Sequence, residues 1–131
     1  MSPAPQTPTE VVQAFFAAMT TLDFDTALSY LSDDCEYDNV PLPEAKVHGP
    51  ADVRSVLEPF FAPTLENEFV VRHIAAEGPV VFVERLDRHR LPDGWVELPV
   101  AGVWEVHDGR ITLWRDYFNL PTIEPMLAAA G

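Results

Sequence analysis

Residues 95–120 read WVELPVAGVWEVHDGRITLWRDYFNL, and this stretch predicts a pair of antiparallel strands. Apolar and polar side chains alternate on both sides of Asp108-Gly109, and an Asp-Gly pair between two such runs is a strong signal for a β-hairpin. We therefore expect strands over about Trp95–His107 and Arg110–Leu120.

The sequence before this hairpin predicts two further strands, over about Leu65–Ala76 and Val80–Leu91. Turn residues that include Gly and Pro separate each run from the next, so the four strands are expected to form an antiparallel meander. Pro99 and Gly102 lie inside the third strand and predict a bulge or bend there, which would curve the sheet.

Helical patterns fill the N-terminal half of the chain. Thr7-Pro8-Thr9-Glu10 predicts a capped helix start, and apolar residues at helical spacing extend that helix to about Leu22. Further along we expect a helix from Asp23 to Leu31, a turn at residues 32–34, a strand from Cys35 to Val40, and a helix that starts at Gly49-Pro50 and is kinked or ended by Pro59. Because helices come first and strands follow, the expected class is α+β, with the N-terminal helices packed on a curved, mixed or antiparallel sheet.

Length and charge exclude several classes of protein. The 131 residues suffice for one domain with one enclosed pocket, and residues 1–6 are expected to form a flexible tail. A net charge of −13 repels phosphate groups, so we expect no nucleic acid partner. The sequence has no signal-peptide pattern, no apolar run of ~20 residues and a single cysteine, so we expect a cytoplasmic location without membrane insertion. The four histidines lack metal-ligand spacing, so we expect no metal and no cofactor.

The second strand of the meander changes from an apolar face to a charged one. Side chains alternate with a period of two, so Arg85, Asp87 and His89 share a face, and Arg85 and Asp87 stand about 7 Å apart at the backbone. That spacing permits a salt bridge. An isolated Arg-x-Asp is more often an ion pair at a strand end than a catalytic group.

Asp116 in the last strand is a second candidate. It shares a face with Trp114 and Phe118, and burial among aromatic rings raises the pKa of an unpaired carboxyl group, which suits an acid or a base. The alternative is that Asp116 lies at a solvent edge. In a meander, one strand separates Asp116 from Asp87 by roughly 9–10 Å, and Arg85 is long enough to bridge the two.

Tyr37 and Asn39 share a face of the first predicted strand, and both side chains can hydrogen-bond a water molecule. Taken alone, they are a common strand residue and a common turn residue.

Four segments in one order and spacing favour the functional interpretation: Tyr37-x-Asn39-x-Pro41-Leu42-Pro43, Glu84-Arg85-x-Asp87, Gly102-Val103 and Trp114-Arg115-Asp116-Tyr117-Phe118. Together they resemble the limonene-1,2-epoxide hydrolase family over nearly the whole chain. The resemblance implies a cone-shaped fold like nuclear transport factor 2 (NTF2), also described as SnoaL-like or cystatin-like, with one deep pocket. It also suggests a homodimer, for which the exposed side of the sheet near Trp95, Val96 and Trp104 is the expected contact.

The family's scheme implies a role for each candidate. Asp116 is the general base that takes a proton from a water held by Tyr37 and Asn39, Asp87 is the general acid that protonates the epoxide oxygen, and Arg85 bridges the two carboxylates. The implied reaction is one-step hydrolysis of an epoxide to a vicinal diol, with water as co-substrate and without metal or covalent intermediate.

The apolar residues near these groups favour an uncharged, hydrophobic small-molecule epoxide, limonene-1,2-epoxide or another cyclic or lipophilic one. Those expected to line the pocket are Leu31, Phe60, Phe61, Val83, Val103, Trp114 and Phe118, with His89 narrowing or polarising the mouth. The sequence departs from the limonene enzyme at Asn119, where that enzyme has an acidic residue, and around Arg88-His89-Arg90.

Two other functions remain open at this point. A ketosteroid-isomerase-like or polyketide-cyclase-like enzyme would move a proton next to a carbonyl, but the first helix offers Phe15 and Phe16 where a tyrosine donor would be useful. A non-catalytic small-molecule-binding domain would use the Arg-Asp pair only as structure, and fold alone does not separate these functions.

Overall fold

The computed structural model describes residues 7–130, which contain four α-helices, six β-strands and two short 3-10 helices, Pro43–Ala45 and Leu120–Ile123. The helices are α1 (Pro8–Thr20), α2 (Phe24–Ser29), α3 (Pro50–Phe61) and α4 (Glu124–Ala130). The strands are β1 (Leu31–Asn39), β2 (Val47–His48), β3 (Glu66–Glu77), β4 (Val80–Leu91), β5 (Gly94–His107) and β6 (Arg110–Phe118). The expected α+β class is confirmed, and the tail expected at residues 1–6 lies outside the described residues.

The sheet is curved and open, with the strand order β2-β1-β6-β5-β4-β3. The antiparallel meander of β3 to β6 is confirmed. β1 joins its edge in parallel with β6, and β2 pairs antiparallel with β1. The sheet is therefore mixed. β1 comes from the helical half of the chain, and the long connection between β1 and β6 leaves the two strands running in the same direction.

The prediction of a bulge at Pro99 and Gly102 is wrong. The register between β4 and β5 runs without interruption from Val80↔Glu105 to Leu91↔Gly94. Register shifts occur instead between β3 and β4 and between β5 and β6. Gly102 serves a different purpose, the close approach of two charged side chains across β5.

The first helix starts as the sequence predicts. The Thr7 hydroxyl accepts from the backbone N–H of Glu10, and the Glu10 carboxylate accepts from the backbone N–H of Thr7, which closes a capping box. One face of α1 is apolar and packs on the inner face of the sheet, with buried residues Val11, Val12, Phe15, Phe16 and Met19.

Two expectations for the segments after α1 are corrected, namely the end of the second helix and the turn at residues 32–34. The second helix ends at Ser29, and Leu31 and the turn expected at residues 32–34 belong to β1, because Leu31 pairs with Ile111 in β6 and is buried in the core. α3 contains Pro59, as expected, and ends at Phe61, two residues further on, so that Pro59 lies in its last turn. None of the helices in residues 7–130 is long and apolar enough to cross a membrane.

Candidate active site

A cavity of about 240 Å³ lies between the helices and the inner face of the sheet. Its wall is mostly apolar, with a few polar groups, as is usual for small-molecule sites. The lining residues come from α1, β1, α3, the four strands of the meander and α4, and they include Phe15, Phe16, Met19, Leu57, Phe60, Phe61, Phe69, Leu98, Val100, Phe118 and Leu127. The polar groups are His89 and a set that we call the Arg85 cluster, made of Tyr37, Asn39, Arg85, Asp87 and Asp116.

Arg85 joins the two candidate carboxylates. Its Nε and Nη2 donate to Asp87 at 2.8 and 3.2 Å, and its Nη1 and Nη2 donate to Asp116 at 3.0 and 2.7 Å. All three side chains are buried, Arg85 with an exposed fraction of 2%. The alternative that Asp116 lies at a solvent edge is therefore excluded. The guanidinium group of Arg85 and the two carboxylates neutralise one another through these buried ion pairs.

Gly102 makes this bridge sterically feasible. It lies on β5 between Asp116 of β6 and the strand that carries Arg85. A Cβ atom on Gly102 would stand 2.8 Å from both Arg85 Nη1 and Asp116 Oδ1, and 3.1 Å from Trp104 Nε1. Because only glycine leaves this space empty, the guanidinium group can lie across β5 and reach the carboxylate on the far strand.

The parallel pairing of β1 with β6 brings the remaining members of the cluster into place. Tyr37 lies beside Trp114 and Asn39 beside Asp116 in the strand register. The rings of Tyr37 and Trp114 stack with centroids 4.0 Å apart, and Trp114 Nε1 donates to Asp116 Oδ2 at 3.0 Å. Tyr37 and Asn39 therefore reach the cavity beside Asp116, which sequence spacing alone did not establish.

Burial shifts the proton affinities of the cluster. It raises the pKa of Asp87 to about 6, although the adjacent Arg85 guanidinium lowers it. Burial also raises the pKa of the Tyr37 hydroxyl. For Arg85, burial favours the neutral form, but the attraction of Asp116 and Asp87 outweighs it and raises the pKa. The site therefore holds a permanent cation beside a carboxyl group that keeps its proton to a higher pH than an ordinary aspartate does.

His89 is buried beside this cluster but makes its own contacts. Its Nδ1 lies 2.7 Å from Asn67 Oδ1, and Phe60, Phe61 and Phe69 surround the ring edge-on. Burial, followed by the charge of Arg85, lowers the pKa of the imidazole to about 4.

Five of the eight residues expected to line the pocket do so: Phe60, Phe61, His89, Trp114 and Phe118. The other three lie elsewhere. Leu31 is in the core at the opposite end of β1 from Asn39, and Val83 is in the core beneath the helices. Val103 lies on the outer face of β5, because Gly102 holds the inner position and side chains alternate.

The helical spacing of Phe15 and Phe16 favours core packing and does not by itself indicate that they line the cavity. Both residues pack in the core and also line the cavity. The ring of Phe16 lies 4.9 Å from the Arg85 guanidinium carbon. The signal that would have found them is their place on the helix face that packs against Arg85. Among residues 7–130, no group of three or more His, Cys, Asp or Glu side chains is arranged to hold a metal ion.

Comparison with known proteins shows the family of the chain. The model of the limonene-1,2-epoxide hydrolase catalytic domain matches residues 6–128 of the chain. The chain belongs to the limonene-1,2-epoxide hydrolase family. It is 38% identical over 109 residues to the epoxide hydrolase EphG of Mycobacterium tuberculosis, an alignment that covers 83% of this chain and 71% of EphG.

Solved structures show which fold this chain shares with other proteins. A limonene-epoxide-hydrolase-like enzyme of M. tuberculosis superposes with a TM-score of 0.77 at 34% identity, covering 94% of this chain and 90% of that one. A protein from Shewanella denitrificans OS-217 described as a SnoaL-like polyketide cyclase gives a TM-score of 0.81 at 18% identity, covering 93% and 97%. The second similarity concerns the fold only. The chain is thus an epoxide hydrolase of the limonene-1,2-epoxide hydrolase type on an NTF2-like and SnoaL-like fold.

Proposed function

We propose that this epoxide hydrolase converts a hydrophobic epoxide into a vicinal diol by direct attack of one water molecule, without a covalent enzyme intermediate. The observation that carries the proposal is the Arg85 bridge, which holds two buried carboxylates at one apolar cavity. Opening an epoxide with water needs an acid for the ring oxygen and a base for the attacking water. A pair of carboxylates that shares one proton provides both.

The contacts favour Asp87 as the acid and Asp116 as the base. Asp116 accepts three hydrogen bonds, from Arg85 Nη1, Arg85 Nη2 and Trp114 Nε1, whereas Asp87 accepts two. Each donor stabilises the ionised form, so the negative charge is better stabilised on Asp116 and the proton on Asp87. Burial acts in the same direction at Asp87, whose pKa it raises to about 6.

The attacking water then binds between Asp116, Tyr37 and Asn39. Asn39 and Asp116 are paired across β1 and β6, and both side chains line the cavity. Burial raises the pKa of Tyr37, so its hydroxyl stays protonated and serves as a hydrogen-bond donor. Asp116 takes one proton from the water as the oxygen attacks a carbon of the ring. The C–O bond of that carbon breaks, and the ring oxygen takes the proton of Asp87.

The wall of the cavity supports an uncharged substrate with a lipophilic body. Apart from His89 and the Arg85 cluster, the lining residues in the described part of the chain are apolar. Limonene-1,2-epoxide and other cyclic or lipophilic epoxides fit this wall in character. The isomerase or cyclase alternative gains no support, because Phe15 and Phe16 give α1 no hydroxyl donor at the cavity.

The proposed assembly is a homodimer that forms through the outer face of the sheet. Phe82 of β4 and Tyr117 of β6 lie on this face and are about half exposed, and large exposed apolar groups often mark contact surfaces. Trp104, expected near this contact, instead lies fully buried on the inner face, whereas Trp95 is exposed. The cytoplasmic location remains a prediction.

The test of this function is a single turnover in ¹⁸O-labelled water with limonene, styrene and cyclohexene oxides. We expect labelled diol from the first turnover, because the water oxygen enters the product directly. Unlabelled diol would show that a carboxylate had attacked the ring, and the absence of diol from all three would contradict the proposed substrate class.

Variants of the two carboxylates test their roles in the same assay. Asp87→Asn and Asp116→Asn should each lower kcat by a factor of roughly 10² to 10⁴, since each removes one proton transfer while keeping the shape of the side chain. Asp38→Asn is the matched control, because Asp38 is also a buried aspartate but pairs with Arg115 away from the cluster. Near-full activity in either cluster variant would refute its assigned role.

A further inference from the structure

His89 is the one polar side chain among the described lining residues that does not belong to the Arg85 cluster. It lies on the inner face of β4, two residues beyond Asp87, with an exposed fraction of 1%. Three phenylalanine rings meet its ring with centroids between 5.4 and 6.0 Å away. An imidazole buried in such surroundings requires a hydrogen-bond partner for each ring nitrogen.

The hydrogen bonds behind the ring determine which nitrogen carries the proton. Thr64 Oγ1 donates to the backbone carbonyl of Phe61 at 2.7 Å, and a carbonyl can only accept. The Thr64 hydroxyl therefore accepts from Asn67 Nδ2 at 2.9 Å, which leaves Asn67 Oδ1 facing His89 Nδ1 at 2.7 Å. Because Oδ1 is an acceptor, Nδ1 carries the proton, and Nε2 of the neutral ring is a bare acceptor.

Nε2 of His89 has no hydrogen-bond partner within residues 7–130. In the described chain, the only fully buried side-chain nitrogen or oxygen without a partner is Trp104 Nε1. His89 Nε2 also lacks a partner, so it is not fully buried. His89 lines the cavity, so the free nitrogen opens onto it. The lowered pKa of the imidazole agrees with a neutral ring at pH 7.

We propose that His89, oriented by Asn67, accepts a hydrogen bond from a hydroxyl or amide N–H group of the substrate. This inference rests on the proposed function and narrows its substrate class to epoxides that carry such a donor on an otherwise apolar skeleton. Side chains two apart on a strand are separated by roughly 7 Å, so the donor lies about that far from the ring oxygen that Asp87 protonates. A fully apolar epoxide would leave Nε2 without a partner in the occupied cavity, which lowers the affinity.

A matched pair of substrates tests the proposal. The compounds are 5,6-epoxyhexan-1-ol and 1,2-epoxyheptane, which differ only by a hydroxyl in place of a methyl group. We expect wild-type kcat/KM to favour the alcohol by about tenfold, the value of one hydrogen bond. His89→Leu should abolish or reverse that ratio, because an apolar wall suits the methyl group. A ratio that is the same in wild type and His89→Leu would overturn the proposal.

Two further variants separate this role from a structural one. His73→Leu is the matched control, because His73 is an exposed histidine on β3 that pairs with Glu84, and it should keep the wild-type ratio. Asn67→Leu removes the acceptor that fixes the tautomer, so it should lower the preference for the alcohol while the protein stays folded. An Asn67→Leu ratio equal to that of the wild type would contradict the positioning role of Asn67.

A spectroscopic measurement decides the same point without turnover. Long-range ¹H–¹⁵N spectra of the wild-type protein should show His89 protonated at Nδ1, and the Nε2 signal should shift when hexane-1,2,6-triol is added but not with heptane-1,2-diol. A ring protonated at Nε2, or an Nε2 signal that responds equally to both, would overturn the proposal. If the epoxides gave no diol while Nε2 still distinguished the two ligands, the proposed reaction would fail and the role of His89 in binding would stand.

Discussion

As the proposed acid, Asp87 has to hold a proton next to the positive charge of Arg85, and this role implies a pH limit on catalysis. Burial raises its pKa to about 6, above the ordinary value for aspartate, although Arg85 opposes the shift. As the pH rises through about 6, Asp87 loses the proton that the epoxide oxygen needs. We therefore expect kcat/KM to fall above that pH, approaching tenfold per pH unit. Initial rates from pH 5 to 9 check this, and a rate that stays level up to pH 8 would contradict Asp87 as the acid.

At the same scale, alternation along a strand was enough to place most of the cluster. Arg85, Asp87 and Asp116 face inward as the period of two predicts, because that period is a geometric property of the extended chain. Val103 was assigned inward because it is apolar, but the inner position belongs to Gly102. The hydrogen bond between Asn67 and His89 was not foreseen, since it joins two strands through side chains with no sequence signature.

At the scale of a single strand, β5 contributes to the site through the missing side chain of Gly102. Gly102→Ala would place a Cβ atom 2.8 Å from both Arg85 Nη1 and Asp116 Oδ1. We expect a loss of stability of about 1–3 kcal/mol and a fall in kcat of roughly 10², because the bridge must shift. Ala101→Ser adds one atom to the exposed neighbouring residue and is the control for both measurements. Wild-type activity in Gly102→Ala would show that the cluster tolerates displacement.

The start of α1 offers a prediction that concerns stability alone. Thr7→Ala removes the hydroxyl that accepts from the Glu10 backbone, so urea unfolding should show a loss of about 1 kcal/mol. Thr9→Ala, inside the first turn of the helix, should cost nothing comparable, since alanine is the better helix former. Equal effects of the two substitutions would show that the capping box contributes little.

Local signals predicted the elements, whereas their pairing beyond the meander required the structure. The hairpin turns and the capping box are local, so α1 and β3 to β6 were predicted within a few residues. The parallel pairing of β1 with β6 depends on contacts between residues far apart in the sequence, such as Asn39↔Asp116, which no turn sequence connects. For the same reason β1 begins at Leu31, which its local pattern predicts as the last residue of a helix.

For the whole molecule, the outer face of the sheet is the surface to test. If the homodimer forms there, Phe82→Glu combined with Tyr117→Glu should give a monomer in sedimentation experiments, because it places four charges in the two-fold contact. Glu44→Gln, in the loop after β1, is a control and should leave the dimer intact. A monomeric wild type, or a variant that remains dimeric, would contradict this contact.

The class of the whole molecule followed from the order of its elements, helices first and strands afterwards. The cavity was expected but its wall was predicted only in part, since a wall is assembled from α1, α3, α4 and five strands at once. Leu127 of α4 illustrates the difficulty, because its contribution depends on where the chain returns after β6.

The paired indoles beside the cluster have an optical consequence. Trp104 and Trp114 stack with centroids 4.9 Å apart and planes 12° from parallel, while Trp95 lies on the other side of the sheet beneath Arg88. Strong electronic transitions of two indole rings held this way couple, so we expect the folded protein to show an exciton couplet in its far-ultraviolet circular dichroism. Because Trp114 donates to Asp116, a change of charge at that carboxylate perturbs the couplet. The protein therefore contains an unlabelled chromophore that reports on the charge of Asp116, the proposed catalytic base.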